Sequence, residues 1–379
     1  MTFLNVSHRF YILSICVFIL AASFGSFFRL VADRYNSKDS FIFKGSFCPD
    51  CKNKLYFWHN IPIVSYLLLG GKCFFCKSNI NINNFYSEII TGFAGLTIFL
   101  CTFIKHGANV SLAGSFVFFM ILILLSMFDL KHRIVPHEIT YLAIIFFVFY
   151  KLFLKEPYTS VFFSLGIAFL ALDVLCFLFN TIKNYEMDSG LMSFPLLAWT
   201  ICVFFSKSFY SLFIPVALYF ALSYLKNYSR FYKLCWISFL AAALALFWKL
   251  IFVNHDLNAL IFYFSGIGII YFVCEIFYYF VVNFTFLSSK DTELSDTKKI
   301  AFGGGDVTVF ALISVFFGYK LAFIVLFIAS LLALLSHLIF RGYLWITKKS
   351  VHLEVNYIPF VPYLTLVCFI ILVIKIIND

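Results

Sequence analysis

Three groups of residues in this sequence have types and spacings that could do chemistry. The run Gly303-Gly304-Gly305-Asp306-Val307 puts a carboxylate behind three glycines, where a polar stretch (288–299) gives way to an apolar one. Glycines there let the backbone turn tightly and let another chain come close, because no Cβ stands in the way. A second aspartate, Asp129, closes an apolar run in Ser126-Met127-Phe128-Asp129-Leu130-Lys131. Two aspartates at one membrane depth suit aspartyl hydrolysis. Like charges in low dielectric cannot both ionise, so one keeps its proton while the other acts as base toward a shared water. Plainer roles compete: Asp129 as an ion-pair partner of Lys131 or Arg133, and Asp306 as an N-cap. The third group is Cys48-Pro49-Asp50-Cys51 with Cys73-Phe74-Phe75-Cys76. Two such pairs about twenty residues apart have the spacing of a tetrahedral zinc knuckle. Four thiolates would close the metal off and make it structural, leaving His59 as a surface residue. Disulfide or redox chemistry is the rival reading, which a reducing compartment disfavours.

The elements that must carry these residues are membrane helices. The chain has 379 residues, is 63% hydrophobic and 12% charged, and has a mean hydropathy of +0.97. These values predict an all-α polytopic membrane protein with a small zinc-knuckle loop on the cytoplasmic side. The apolar runs are continuous and do not alternate, which argues against a β-barrel. The first run, 10–30, is expected to be a retained helix and not a cleaved leader. About twelve spans are expected: 9-31, 85-105, 110-130, 138-154, 159-182, 190-206, 208-225, 231-253, 257-286, 304-318, 320-344 and 357-377. The domain plan that follows is a first helix (1-32), a four-cysteine loop (33-84), helices with the first aspartate (85-154), additional helices (155-285) and helices with the second aspartate (286-379).

The formal charge of +10 comes from basic residues spread over short loops. They form no single face, so orientation in the bilayer explains them and nucleic acid is not an expected partner. Placing the four-cysteine loop in the cytoplasm puts roughly 20 of the 28 basic residues on that side. Asp129 and Asp306 then both fall at cytoplasmic helix ends. Five acidic residues lie in or beside apolar runs: Glu88, Asp129, Asp173, Glu275 and Asp306. Each is a functional candidate by default, because an unpaired charge is costly there. Asp173 and Glu275 have no neighbouring motif and read as packing residues. The seven cysteines outside the cluster are scattered singly and read as packing or lipid-facing residues.

Taken together, these residues resemble the type IV prepilin peptidases, the prepilin leader peptidase/N-methyltransferase family of intramembrane aspartyl proteases. The resemblance runs through Gly25-Ser26-Phe27, Arg34, Cys48-x2-Cys51, Asn60-Ile61-Pro62, Ser65-Tyr66-Leu67-Leu68, Gly70-Gly71-Lys72-Cys73 and Cys76. It continues through Tyr86, Glu88, Gly92, Asp129 with Pro136, the Gly303–Val307 run and Ile358-Pro359-Phe360-Val361-Pro362-Tyr363. His137 stands where the family has Asp or Asn, Thr308 stands where Lys is usual, and 155-285 holds more helices than the family places there. Asp188-Ser189-Gly190 with Trp199 is similar to the stretch after the second aspartate, which makes Asp188 a control position.

The resemblance implies catalytic roles for Asp129 and Asp306, and prepilin or pseudopilin substrates cut after a glycine. It also implies S-adenosylmethionine as methyl donor for the new N-terminus, and an inner-membrane location with the site facing the cytoplasm. Membrane lipids are the other expected partner. A proton-coupled transporter, or an inactive component of a pilus or secretion machine, would account for the buried carboxylates but not for the cysteine loop with the glycine-aspartate run.

Overall fold

A computed structural model describes residues 2–35, 45–107, 109–183, 304–347 and 358–378. The architecture in these residues is helical: α1 (Thr2–Arg34), α2 (Val64–Leu68), α3 (Ile82–His106), α4 (Val110–His132), α5 (His137–Phe153), α6 (Tyr158–Lys183), α7 (Gly304–Phe317), α8 (Tyr319–Thr347) and α9 (Val361–Asn378). A single 3-10 turn, Phe57–Asn60, precedes α2. Among the described residues, four segments are long and apolar enough to cross a bilayer: Phe10–Arg34, Ile82–Lys105, Val110–His132 and Tyr319–Tyr343. Every expected span that falls in described residues coincides with a helix. The spans at 190-206, 208-225, 231-253 and 257-286 lie outside the described residues, so the count of twelve is not established.

Local signals account for the helix ends. Asn81 and Asn109 cap α3 and α4, their side chains accepting from Asn83 N and Leu112 N at 2.9 Å. α4 stops at Arg133, which takes a left-handed conformation (φ 56°) and donates its N–H to Asp129 O at 3.0 Å. Gly318 (φ 82°) separates α7 from α8, at a conformation that L side chains rarely adopt.

The described chain forms two compact units, Met1–Val135 with Val325–Asp379, and Pro136–Ile324. In the first, α1 and α3 pack along a seam of small residues, as membrane helices do when van der Waals contact must hold them. A Cβ at Gly25 would overlap Thr91 Oγ1 and sit 2.7 Å from the Ser87 carbonyl oxygen, and one at Gly92 would sit 2.8 Å from the Phe18 ring. Gly25→Ala is therefore expected to force the helices apart and cost about 1–3 kcal/mol, as overpacking does. A drop in thermal stability of the detergent-solubilised protein would show it. A stability equal to wild type would mean that the seam is looser than drawn.

α4, α9 and the part of α8 from Val325 onward also belong to this unit. The Ser126 and Thr365 hydroxyls lie 2.7 Å apart, and the Phe119 and Phe369 rings meet edge to face at 5.6 Å. In the second unit α7 is buried on nearly all sides, with Val309, Phe310, Ala311, Leu312 and Ile313 inaccessible. It is tied to α6 by Ser314 Oγ donating to Ser164 O at 2.7 Å.

Candidate active site and metal centre

The four cysteines come together on two copies of one turn. In each, the first cysteine N–H reaches five residues ahead: Cys48 N to Asn53 O at 3.0 Å, and Cys73 N to Ser78 O at 2.8 Å. The residue after the second cysteine is left-handed in both, Lys52 at φ 59° and Lys77 at φ 60°. A β-bridge flanks each turn, Phe47 with Lys54 and Lys72 with Asn79. A non-glycine residue in this conformation costs on the order of 1 kcal/mol, and the turn demands it twice.

The four Sγ atoms lie within 4.8 Å of one another, and Cys48 Sγ is 3.8 Å from Cys76 Sγ. Four sulfurs at about 2.3 Å from a tetrahedral zinc are about 3.8 Å apart, so the donors fit that ion with small adjustment. The Ser78 hydroxyl, 3.1 Å from Cys76 Sγ, helps to pull that thiol down to about 6. At Cys51 the Asn53 N–H acts in the same direction, but desolvation and the neighbouring thiols prevail and push it up to about 11. Without a cation, then, the cluster keeps protons that a divalent ion would displace. His59, expected at the surface, is half-buried among aromatic rings, and the cluster of possible metal ligands holds the four cysteines without it.

Asp129 is 1% exposed at the end of α4. Its Oδ2 accepts the Val361 N–H at 2.8 Å. That donor opens α9, where main-chain N–H groups lack helical partners, and Pro362 beside it needs none. The ion-pair role considered for Asp129 has another owner: Lys131 pairs with Asp33 of α1, which also meets Arg29 Nε at 3.3 Å. Asp306 is buried in the first turn of α7, where a carboxylate is favoured by the helix dipole. Thr308 Oγ1 donates to Gly305 O at 2.9 Å in the same turn. Asp129 belongs to the first unit and Asp306 to the second. Glu275 and Asp188 fall outside the described residues, as does the side chain of Asp173.

Glu88 turns out to be a clamp. Its carboxylate, buried in α3 with the Ser26 hydroxyl beside it, accepts the Ile63 N–H at 2.7 Å. Ile63 has φ 65° and ψ −52°, a costly conformation for a β-branched residue. A 2.6 Å contact from Val64 N to Pro62 O closes a γ-turn around it. The strained turn is thus pinned to the membrane helices by one carboxylate, and α2 starts from it. Glu88→Ala is expected to leave the Ile63 N–H without its acceptor and to cost about 1–3 kcal/mol locally. Glu88→Gln keeps an acceptor and should behave nearly as wild type. Trypsin sensitivity of the loop at Lys72 and Lys77 is the measurement, and equal cleavage of all three proteins would remove the clamp. Neither Val361 nor Ile63 could be singled out from the sequence, since a main-chain donor leaves no residue-type signal.

Comparison with known proteins places these residues. Residues 19–102 match the model of the family described as the bacterial peptidase A24 N-terminal domain, a stretch that contains the whole four-cysteine loop and Glu88. The chain is similar to a protein of Vibrio cholerae serotype O1 named prepilin leader peptidase/N-methyltransferase, 34% identical over 25% of this chain and 36% of that one. Proteins of the same name in Myxococcus xanthus and Dichelobacter nodosus are 31% and 32% identical, over 34% and 40% of this chain and 37% and 51% of theirs. The chain thus spans little more than a third of the length of the first two relatives and about half of the third. No solved structure matches the chain.

Proposed function

We propose that this membrane protein is a prepilin leader peptidase that cuts type IV prepilins or pseudopilins with an aspartate pair, Asp129 and Asp306. The observation that carries the reading is the four-cysteine loop. Its two knuckle turns and its glutamate clamp lie inside the stretch that matches the peptidase domain. A transporter needs neither.

The chemistry proposed is hydrolysis by a shared proton. One aspartate, ionised, takes a proton from a water held between the pair. The other, protonated, donates its proton to the carbonyl oxygen of the scissile bond; the first then passes the proton it took from water to the leaving nitrogen, while the second recovers its own from the tetrahedral diol. The pair titrates as a unit, so neither role is fixed to one residue by sequence alone. The Val361 N–H orients the Asp129 carboxylate. The glycines before Asp306 give an extended peptide room to approach.

The substrate in this reading enters with its basic leader in the cytoplasm and its apolar helix in the bilayer, and is cut after a glycine. The enzyme then sits in the inner membrane with the pair at the cytoplasmic face. Zinc held by Cys48, Cys51, Cys73 and Cys76 fixes the loop and takes no part in hydrolysis. Methylation of the new N-terminus would draw its methyl group from S-adenosylmethionine, a role that rests on the name shared by the relatives. The domain plan from the sequence (1-32, 33-84, 85-154, 155-285, 286-379) stands as part of this proposal.

Co-expression with a prepilin in a host lacking its own peptidase tests the reading. The expected result is a shortened pilin whose mass corresponds to cleavage after the leader glycine, with a further methyl group if the second activity is present. A full-length pilin beside abundant membrane-inserted protein would overturn it.

A further inference from the structure

The four-cysteine loop carries an aromatic surface that neither metal binding nor hydrolysis uses. Phe74 and Phe75 are the two residues between Cys73 and Cys76, so the knuckle turn itself presents them. Their rings meet those of the 3-10 turn: His59 to Phe74 at 5.0 Å, Tyr56 to Phe75 at 5.9 Å, and Tyr56 stacked on Trp58 at 5.1 Å. The result is one preorganised patch and not a set of stray side chains. It stays open to solvent, with Phe57 83% and Trp58 61% exposed. Contiguous apolar surface of this kind marks an interaction site.

Two further observations say what covers it. Lys77 Nζ stands 5.5 Å from the centre of the Phe74 ring, and residues 45–81 contain Lys52, Lys54, Lys72 and Lys77 against the single acid Asp50. The patch therefore asks for a negatively charged partner with an apolar layer behind the charge. The loop is also fastened at both ends to bilayer-spanning segments, Phe10–Arg34 before it and Ile82–Lys105 after it. An anionic membrane surface is the partner that both the charge and the tether select. Tryptophan and tyrosine settle at the headgroup level because one end of each ring is polar.

We propose that the Tyr56–His59 turn and the Phe74-Phe75 pair dock into the headgroup layer of the bilayer, with Lys77 and Lys72 on anionic lipid phosphates. The docking sets the height of the metal centre above the membrane. It is independent of the peptidase reading and would hold for any function of the loop. Because the two phenylalanines lie between thiolates, loss of the metal frees their backbone and should undo the docking.

The test uses the full chain in nanodiscs of phosphatidylcholine, with or without phosphatidylglycerol, whose acyl chains are brominated or plain. The Trp58 contribution is the difference between wild type and Trp58→Phe. We expect that contribution to be quenched by brominated chains, about twofold more with phosphatidylglycerol present, and Lys72→Glu with Lys77→Glu to cancel the gain. Quenching by aqueous acrylamide with no effect of bromine would overturn docking. Shielding of Trp58 from both quenchers would show that protein covers the patch, and would overturn it equally. A benzoyl-phenylalanine photocrosslinker at exposed position 57 gives an independent readout: a lipid adduct supports the proposal, and an adduct to protein or none at all refutes it.

Discussion

Asp129→Asn and Asp306→Asn are each expected to leave a co-expressed prepilin uncut, while the protein accumulates in the membrane at wild-type level. Losing a positioned acid or base costs on the order of 10²–10⁴ in rate, and removing one member of a pair that shares a proton removes the other's function too. The loss should therefore lie at the upper end of that range or beyond it. The local geometry makes Asp129→Asn a clean probe. An amide oxygen can still accept the Val361 N–H, so the start of α9 keeps its cap. Asp129→Ala removes both the acid and the acceptor, and should lower accumulation as well as activity, since a stranded buried N–H costs about 1–3 kcal/mol. Asp188→Asn serves as the control and should cut normally. Normal cleavage by either asparagine variant at 129 or 306 would end the dyad assignment, and a dead variant at 188 would move its second member.

The second large effect concerns the metal. The purified protein is expected to hold about one zinc per chain, released when Cys48 and Cys73 are both replaced by Ser. Structural zinc contributes on the order of 10–16 kcal/mol to small metal-organised folds, more than the loop between α1 and α3 can gain from its few buried side chains. Its loss should unfold residues 45–81, α2 included, and expose them to protease while the long helices on either side, α1 and α3, persist.

Acid should act in the same direction. Protons compete with the metal for sulfur, so the stabilisation is present at neutral pH and fades as pH falls. The decline should steepen below about 6, where Cys76, its thiol held down by Ser78, also takes up a proton. Metal analysis across pH and a digestion time course would measure both. A natively folded loop in protein free of metal would refute the structural role.

The helices were legible because their signal is local. A continuous apolar run of bilayer length, bounded by Asn81, Asn109 or Gly318, names its own ends. The cysteine knuckle was legible for the same reason, each half being a four-residue motif. What the sequence left open were pairings between distant segments. Asp129 could be matched with Lys131 or Arg133 by proximity in the chain, but its carboxylate bonds a residue 232 positions away. Lys131 is drawn instead to Asp33 of α1. Glu88 read as a functional carboxylate and acts as an anchor, because its partner is a main-chain N–H 25 positions upstream that no residue type announces. Such contacts arise only when the helices pack, so composition and spacing carry no trace of them.

The bond between Asp129 and Val361 also changes how the end of the chain should be read. Ile358, Pro359 and Phe360 contribute no acid, base or ligand, yet they steer the amide that aims a carboxylate. An insertion or a flexible residue in that short lead-in would draw the amide away from the Asp129 carboxylate and leave both groups buried without each other. In the proposed dyad, a ligand wedged into this joint would displace Asp129 from a position that supplies no reacting group.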